Sequence, residues 1–277
     1  MTVAIRPAEL PVWSGYIQEI CGIHLDQSKA YLLETRLRSV MYESGAADFS
    51  ELISKAKSDR SAKLRAKIID AITTNETSFF RDVVPFEMLR HKILPELIDR
   101  RSKNGQPIPI RIWSAACSTG QEAYSTGIIL RELIGDLNRF DIRILGTDIS
   151  NKAVAKASYG EYDSFELERG LPAQALSRHF TRSGERWKIR DDIRAMATFR
   201  TMNLLEPFFF TSRFDIIFCR NVAIYFKEAD KVKLFGNLAK ALESDGALII
   251  GATESISALC PELEPKRYLR SIFYQRK

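Results

Sequence analysis

The sequence has little of what metal, disulfide and membrane chemistry require. Cysteine occurs four times in 277 residues, at Cys21, Cys117, Cys219 and Cys260. No two of them make a Cys-x-x-Cys pair, and the three histidines stand isolated. That argues against a zinc site and against a disulfide framework, and it points to a reducing cytoplasm. No apolar run approaches the roughly 20 residues of a membrane span, so no membrane insertion is expected. The opening MTVAIRPAELPVW lacks a basic stretch followed by an apolar one, and no signal peptide is expected. What is present is an ordinary globular composition, 45% apolar and 27% charged, long enough for two domains. The net charge of +6 admits an acidic partner without naming one.

The chain changes style near residue 105. Before it, apolar residues recur at helical spacing: Leu33, Leu37 and Val40, then Leu64, Ile68 and Ile72. RSKNGQPIP is polar, carries Gly and Pro, and reads as a linker. After it, short apolar runs alternate with helical stretches. IPIRIWSA, DIRILGTD, ATFRTMNLL, FDIIFCRN and ALIIGATES read as strands, and RYLRSIFYQRK as a closing strand or hairpin arm. The helices between include SNKAVAKASYG, capped by Ser150 and closed near Gly160, and KEADKVKLFGNLAKALESDG, read as ending at Gly246. Such alternation predicts a mainly parallel sheet with helices on both faces. The stretch from Ser164 to Phe199 is too long for a connection and carries its own turn, Ser183-Gly184, so it reads as a short helix plus a small antiparallel insertion.

Ligands of open parallel sheets bind beyond the carboxyl ends of the strands. There RIWSAACSTGQEAYS places Ser118, Thr119 and Gly120 at a helix start. The small residues and Gly120 are expected to let a ligand lie on the backbone. The turn is neither Gly-x-x-x-x-Gly-Lys-Ser/Thr nor Gly-x-Gly-x-x-Gly, so phosphates are poorly served. Asp148 ends the next strand, where a carboxylate suits a ribose diol; alternatively it begins the cap of the following helix. Together the two features favour a nucleoside that bears a carboxylate, a description S-adenosylmethionine fits. FDIIFCRNVAIYF delivers Arg220 and Asn221 to a strand end, with Tyr225 just beyond. TTNETSFFRD admits a plainer reading, a capping box of Thr73 and Glu76 with Phe79 and Phe80 in the core.

Taken in order, TTNETSFFRD, IWSAACSTGQEAYS, GTDIS, NLLEP and FDIIFCRNVAIYF resemble the chemotaxis receptor methyltransferase family, CheR. The resemblance covers nearly the whole chain. It implies a Rossmann-like class I methyltransferase sheet with an inserted antiparallel β subdomain, preceded by an all-helical domain. The implied division is 1–72 helical, 73–107 linker and linker helix, and 108–277 methyltransferase, with 162–198 inserted. The implied activity is transfer of a methyl group from S-adenosylmethionine to glutamate carboxylates of chemoreceptor cytoplasmic helices, by a monomer, with S-adenosylhomocysteine as product and no metal. Cofactor contacts implied are Asn75, Thr77, Arg81, Glu122, Asp148, the pair Asn203 and Leu204, and the pair Arg220 and Asn221; Gly120 joins them on the backbone argument above. Many relatives read Glu-Glu-Pro where this chain has Gln121, Glu122, Ala123, and the second Glu survives.

A glutamate acceptor is already a carboxylate at neutral pH, so neither base nor metal is needed. Alignment and exclusion of water suffice. Arg81 is expected to orient the acceptor and Tyr225 to bound the transfer site; on the plainer reading Arg81 pins the linker helix to the sheet. The acceptor helices of the family are acidic, and the helical domain is basic. Six cations lie between Ile53 and Lys67 against Asp59 alone, and Lys29, Arg36 and Arg38 precede them, Arg36 set among the apolar Leu33, Leu37 and Val40. Basic runs such as Lys55 to Lys67 are usually just solvated, but Arg36 and Arg38 match the basic helix implicated in receptor recognition by relatives, and with Lys29 they are expected to read the substrate. The short turn in TRSGERWK suggests no dependence on a receptor C-terminal pentapeptide. Two other readings remain: a nucleic-acid methyltransferase, disfavoured by Arg-Asn-Val-Ala where an Asn/Asp-Pro-Pro-aromatic motif would stand, and a non-catalytic cofactor-binding scaffold.

Overall fold

The computed structural model describes residues 4–25, 30–102, 107–256 and 258–277. Four helices open the chain: α1 (Leu10–Cys21), α2 (Ala30–Glu43), α3 (Phe49–Ser58) and α4 (Lys63–Ile72). They close on their own core, with Trp13, Ile17, Leu37, Phe49 and Ile68 fully buried. Leu33, Leu37 and Val40 all face inward, as their spacing predicts. Asp48 caps α3 by accepting the Glu51 N–H at 2.8 Å.

Residues 73–83 form neither helix nor strand. The capping box of Thr73 and Glu76 does not form: Thr73 follows the last residue of α4, and Glu76 pairs with Arg169. A continuous helical rod follows, made of α5 (Val84–Met88), a π-helical turn (Leu89–Ile93) and α6 (Leu94–Arg101). Pro95 has no N–H to offer the preceding turn, and the wide turn lies just before it.

Then β and α alternate: β1 (Ile108–Ala115), α7 (Gln121–Leu133), β2 (Phe140–Asp148) and α8 (Asn151–Tyr159). The insertion comprises β3 (Glu161–Tyr162), α9 (Ser164–Glu168), α10 (Ala173–His179), β4 (Phe180–Ser183), β5 (Arg186–Ile189) and α11 (Asp191–Arg194). β6 (Ala197–Thr201), β7 (Phe214–Cys219), α12 (Glu228–Ala241), β8 (Leu242–Ile250), β9 (Leu263–Tyr268) and β10 (Ser271–Arg276) complete the chain. Seven strands form one sheet in the order β6-β2-β1-β7-β8-β10-β9, and three form a second, β3-β5-β4. The large sheet is parallel from β6 to β8, and β10 runs antiparallel to both β8 and β9. Alternate residues of β1 serve opposite faces: Ile110 and Ile112 pack with α6 and α7, Trp113 and Ala115 with α12. The mainly parallel sheet, the antiparallel insertion and the helical opening are as the sequence predicts.

Ser150 caps α8 by accepting the Ala153 N–H, and Gly160 closes it in a left-handed conformation, φ 66°. The helix expected to run to Gly246 instead ends at Ala241, and Leu242 opens β8 opposite Phe214. Gly246 is no helix cap. A side chain there would meet Leu242 and the Asp215 carbonyl at 2.9–3.0 Å, beside an irregularity in the pairing with β7. Among the described residues no helix is long and apolar enough to cross a membrane.

Candidate active site

The carboxyl ends of β2, β1 and β7 lie side by side, and a cleft opens between them and the helical domain. Five residues around it hold left-handed backbones without being glycine: Phe80, Asp82, Ala116, Ser118 and Asn221, with φ between 49° and 65°. Such strain persists only where packing imposes it, and it gathers at functional sites.

Asp148, 7% exposed, accepts the Ser118 N–H at 2.8 Å on one oxygen and the Ser150 N–H at 2.9 Å on the other. Burial pushes its carboxyl above the usual range, and these backbone bonds partly reverse that. Each oxygen keeps a lone pair for a diol. It therefore both fixes the turns after β1 and β2 and lines the cleft.

Glu122 is held from both sides. Ser114 donates to one oxygen at 2.7 Å, and Arg220 Nη1 to the other at 2.8 Å. The Arg220 side chain is 2% exposed, lies over the Phe86 ring, and donates through Nη2 to the Arg81 carbonyl and to Asp82, each at 2.8 Å. It thus joins β7, α7 and the 73–83 segment. That segment is tied down elsewhere too: Ser118 Oγ donates to the Asn75 carbonyl, and the Phe80 N–H to Ser125, both at 2.9 Å. Phe79 is fully buried against Tyr162 and Phe180, and Glu76 pairs with Arg169, which holds its carboxyl below the usual range.

Asn75, Thr77, Arg81 and Tyr225 all line the cleft. Arg81 spends one N–H on the Glu76 carbonyl at 2.9 Å; its other donors have no partner among the described residues. Leu204 is buried at the far wall, and the Asn203 amide spans the Ile20 carbonyl and Glu206 at 3.3 Å each. Asn221 lines the cleft as well. Burial pushes the thiols of Cys117 and Cys219 well up, so neither is poised as a nucleophile.

Two expectations need correction. Gly120 does not line the cleft. Its φ of 95° and its missing side chain serve α8, because a Cβ there would lie 2.9 Å from the Ala157 Cβ and 3.1 Å from its Cα. The residues that lie against the ligand space are Ala116, Cys117 and Ser118. Arg36 points inward: it donates to the last carbonyl of α4, Ile72, at 2.5 Å and to Thr74 at 3.1 Å. It caps a helix and holds the segment entering the cleft, which explains a charge on an apolar face. Arg38 is half-buried, its Nε without a hydrogen-bond partner among the described residues, and Lys29 lies outside them. The basic run is partly neutralised, since Lys55 pairs with Glu51 and Lys67 with Glu43, each at 2.8 Å.

Sequence reasoning missed Glu254. Its Oε2 accepts the N–H groups of Asn221 at 2.9 Å and Gly251 at 2.8 Å, clasping the turns after β7 and β8. Its Oε1 is buried with no partner among the described residues. Gly251 has no room for a side chain, since a Cβ would stand 2.6 Å from Glu254. The available signal was a glycine and an acid in GATES, directly after a strand.

The donor set suits one kind of ligand. Asp148 matches a diol, Glu122 with Asn221 matches a charged amino-acid end, and Met202, Leu204 and Val222 beside the Asn203 amide match a flat heteroaromatic base. Two family profiles match the chain: one described as the all-alpha domain of CheR methyltransferases over residues 8–73, the other as their SAM binding domain over 75–267. Chemotaxis protein methyltransferase Cher2 of Pseudomonas putida is 37% identical over 267 residues, 95% of each chain. Chemotaxis protein methyltransferase 1 of Pseudomonas aeruginosa is 36% identical over 98% of each. The chemotaxis protein methyltransferase of Vibrio parahaemolyticus is also 36% identical, over 99% of each.

Proposed function

The chain belongs to the CheR methyltransferase family, and from that premise we propose that it methylates glutamate carboxylates on the cytoplasmic helices of a chemoreceptor. The products are glutamate methyl esters and S-adenosylhomocysteine. The observation that carries this reading is the single cleft on which the 73–81 segment, Glu122, Asp148 and the run from Arg220 to Tyr225 converge. Residues 1–72 act as the helical unit, 73–107 as linker and linker helix, and 108–277 as the catalytic unit, with 162–198 inserted. One chain acts alone, in the cytoplasm, and needs neither metal nor nucleic acid.

S-adenosylmethionine, when bound, supplies a methyl group already activated by its sulfonium. Asp148 takes the ribose diol with the lone pairs its backbone bonds leave free. Glu122, locked by Ser114 and Arg220, takes the amino-acid end together with Asn221. Asn203 and Leu204 flank the base, and Asn75 and Thr77 cover the ligand from the helical side. An acceptor glutamate, with a reference pKa of about 4.3, arrives ionised and needs no base. Arg81 orients its carboxylate through the donors not used on Glu76, and Tyr225 bounds the transfer site. Rate then comes from alignment and from water excluded by the cleft.

The test uses methyl-labelled cofactor and a receptor cytoplasmic fragment. Label should enter the fragment and leave as methanol in mild alkali, as an ester does and an N-methyl group does not. Replacing the acceptor glutamates by glutamine should abolish incorporation. Arg81→Ala should lower kcat far more than it weakens S-adenosylhomocysteine binding. Alkali-stable label, or equal transfer to nucleic acid, would overturn the reading.

A further inference from the structure

We infer that the loop carrying Phe209 is a docking surface for an acidic amphipathic helix, and that the helix is the acceptor-bearing region of the receptor; the identity of the partner rests on the function proposed above. The loop runs from Pro207 to Arg213, between β6 and β7. Its three phenylalanines differ in fate. Phe208 and Phe210 pack on Trp113, with ring centroids 5.1 and 4.9 Å away. Phe209 is 91% exposed, more than any other large apolar side chain among the described residues. The core needs the two flanking rings and has no use for the middle one. An aromatic knob left in water is the kind of group that anchors a partner.

Charge surrounds this knob on both sides. A cleft toward the helical domain is lined by Lys63, Arg65 and Arg200, and a cleft toward α12 by Arg213, Lys233 and Lys240. None of these six forms an ion pair among the described residues; Arg200 only stacks on Phe210, at 5.2 Å. The one acid in the first cleft, Glu206, is engaged by the Asn203 amide, and the second cleft contains none. This contrasts with Lys55 and Lys67, which carboxylates neutralise. An apolar knob between two cationic clefts complements a helix that carries an apolar stripe flanked by carboxylates. Val232 and the side-chain-free Gly236 of α12 extend the apolar contact into the second cleft. Ile149, Met202 and Asn203 line both the first cleft and the cofactor cleft, so a helix seated on Phe209 lies beside the reaction site.

The experiment compares the full chain with Phe209→Ala and with the double variant Lys63→Glu, Arg200→Glu. Steady-state methylation of the receptor fragment is measured with direct fragment binding and calorimetry of S-adenosylhomocysteine. Phe209→Ala should raise KM for the fragment by roughly ten-fold, and the charge reversal should do the same and remove most of the salt dependence. Saturated kcat and S-adenosylhomocysteine affinity should stay within about two-fold of wild type. An unchanged KM and unchanged fragment binding would overturn the surface. So would an equal fall in S-adenosylhomocysteine affinity, which would mean the loop acts through the cofactor cleft. Phe209-dependent binding of a single-stranded oligonucleotide or of phosphatidylserine vesicles, with fragment binding unaffected, would assign the loop to those partners instead. If the wild-type chain binds the fragment through Phe209 yet methylates nothing on it, the proposed function fails and the surface stands.

Discussion

Arg220→Met tests the central electrostatic joint. The change keeps the aliphatic bulk and removes the charge. Three hydrogen bonds go with it: to Glu122 at 2.8 Å, to the Arg81 carbonyl at 2.8 Å and to Asp82 at 2.8 Å. They are not equal. The Asp82 side chain is 40% exposed, so water screens that pair and its loss costs about 0–1 kcal/mol. Glu122 is only 11% exposed and would be left as a buried carboxylate with Ser114 as its one donor. Breaking such a pair costs about 3–5 kcal/mol, most of it the penalty of the stranded charge. Equilibrium urea unfolding followed by circular dichroism reads this directly. Adding Glu122→Gln removes the stranded charge, so the double variant should recover about 2 kcal/mol over the single one. A single variant less than about 1 kcal/mol below wild type, or a double variant no more stable than the single, would refute the reasoning.

Other consequences follow from the same geometry. Asp148→Asn should weaken S-adenosylhomocysteine binding about 10- to 100-fold by calorimetry, the worth of hydrogen bonds to a charged group. Because burial raises the Asp148 carboxyl above the usual range, wild-type affinity should fall with acid sooner than an ordinary aspartate would dictate; a fall no earlier than an ordinary aspartate's counts against the ribose assignment. Gly120→Ala should cost about 2–4 kcal/mol, from a left-handed φ and overlap with Ala157, while the folded fraction keeps its cofactor affinity; a selective loss of affinity would restore Gly120 to the ligand site. Glu254→Ala should raise KM for S-adenosylmethionine about ten-fold by freeing the Asn221 turn, and Glu254→Gln should recover part of that because its amide oxygen still accepts an N–H; no difference among the three proteins would make Glu254 a bystander.

Local rules determined much of this protein before any packing was known. Short apolar runs and period-3.6 patterns located β1, β2, β7 and most helices, because strands buried on both faces read as near-continuous apolar runs and a helix repeats its apolar face every 3.6 residues. Ser150 and Gly160 marked the ends of α8 because capping is a contact between near neighbours. Five ordered motifs carried the family, and through it the residues of the cleft. Tertiary structure decided what those rules cannot reach. Gly120 reads as an opening for a ligand until α8 is placed against it, and Arg36, a charge set among apolar residues, reads as a contact for the substrate until its reach to Ile72, 36 residues away, is seen. Glu254 offered only a glycine and an acid after a strand as a signal, because its partner Asn221 lies 33 residues earlier, in the turn after another strand. The helix expected to end at Gly246 stopped at Ala241 because Leu242 is buried opposite Phe214, an energy that sheet pairing supplies and local propensity does not contain. Near-neighbour contacts are written in the order of residues; contacts that close the cleft exist only after the sheet has brought distant strand ends to one edge.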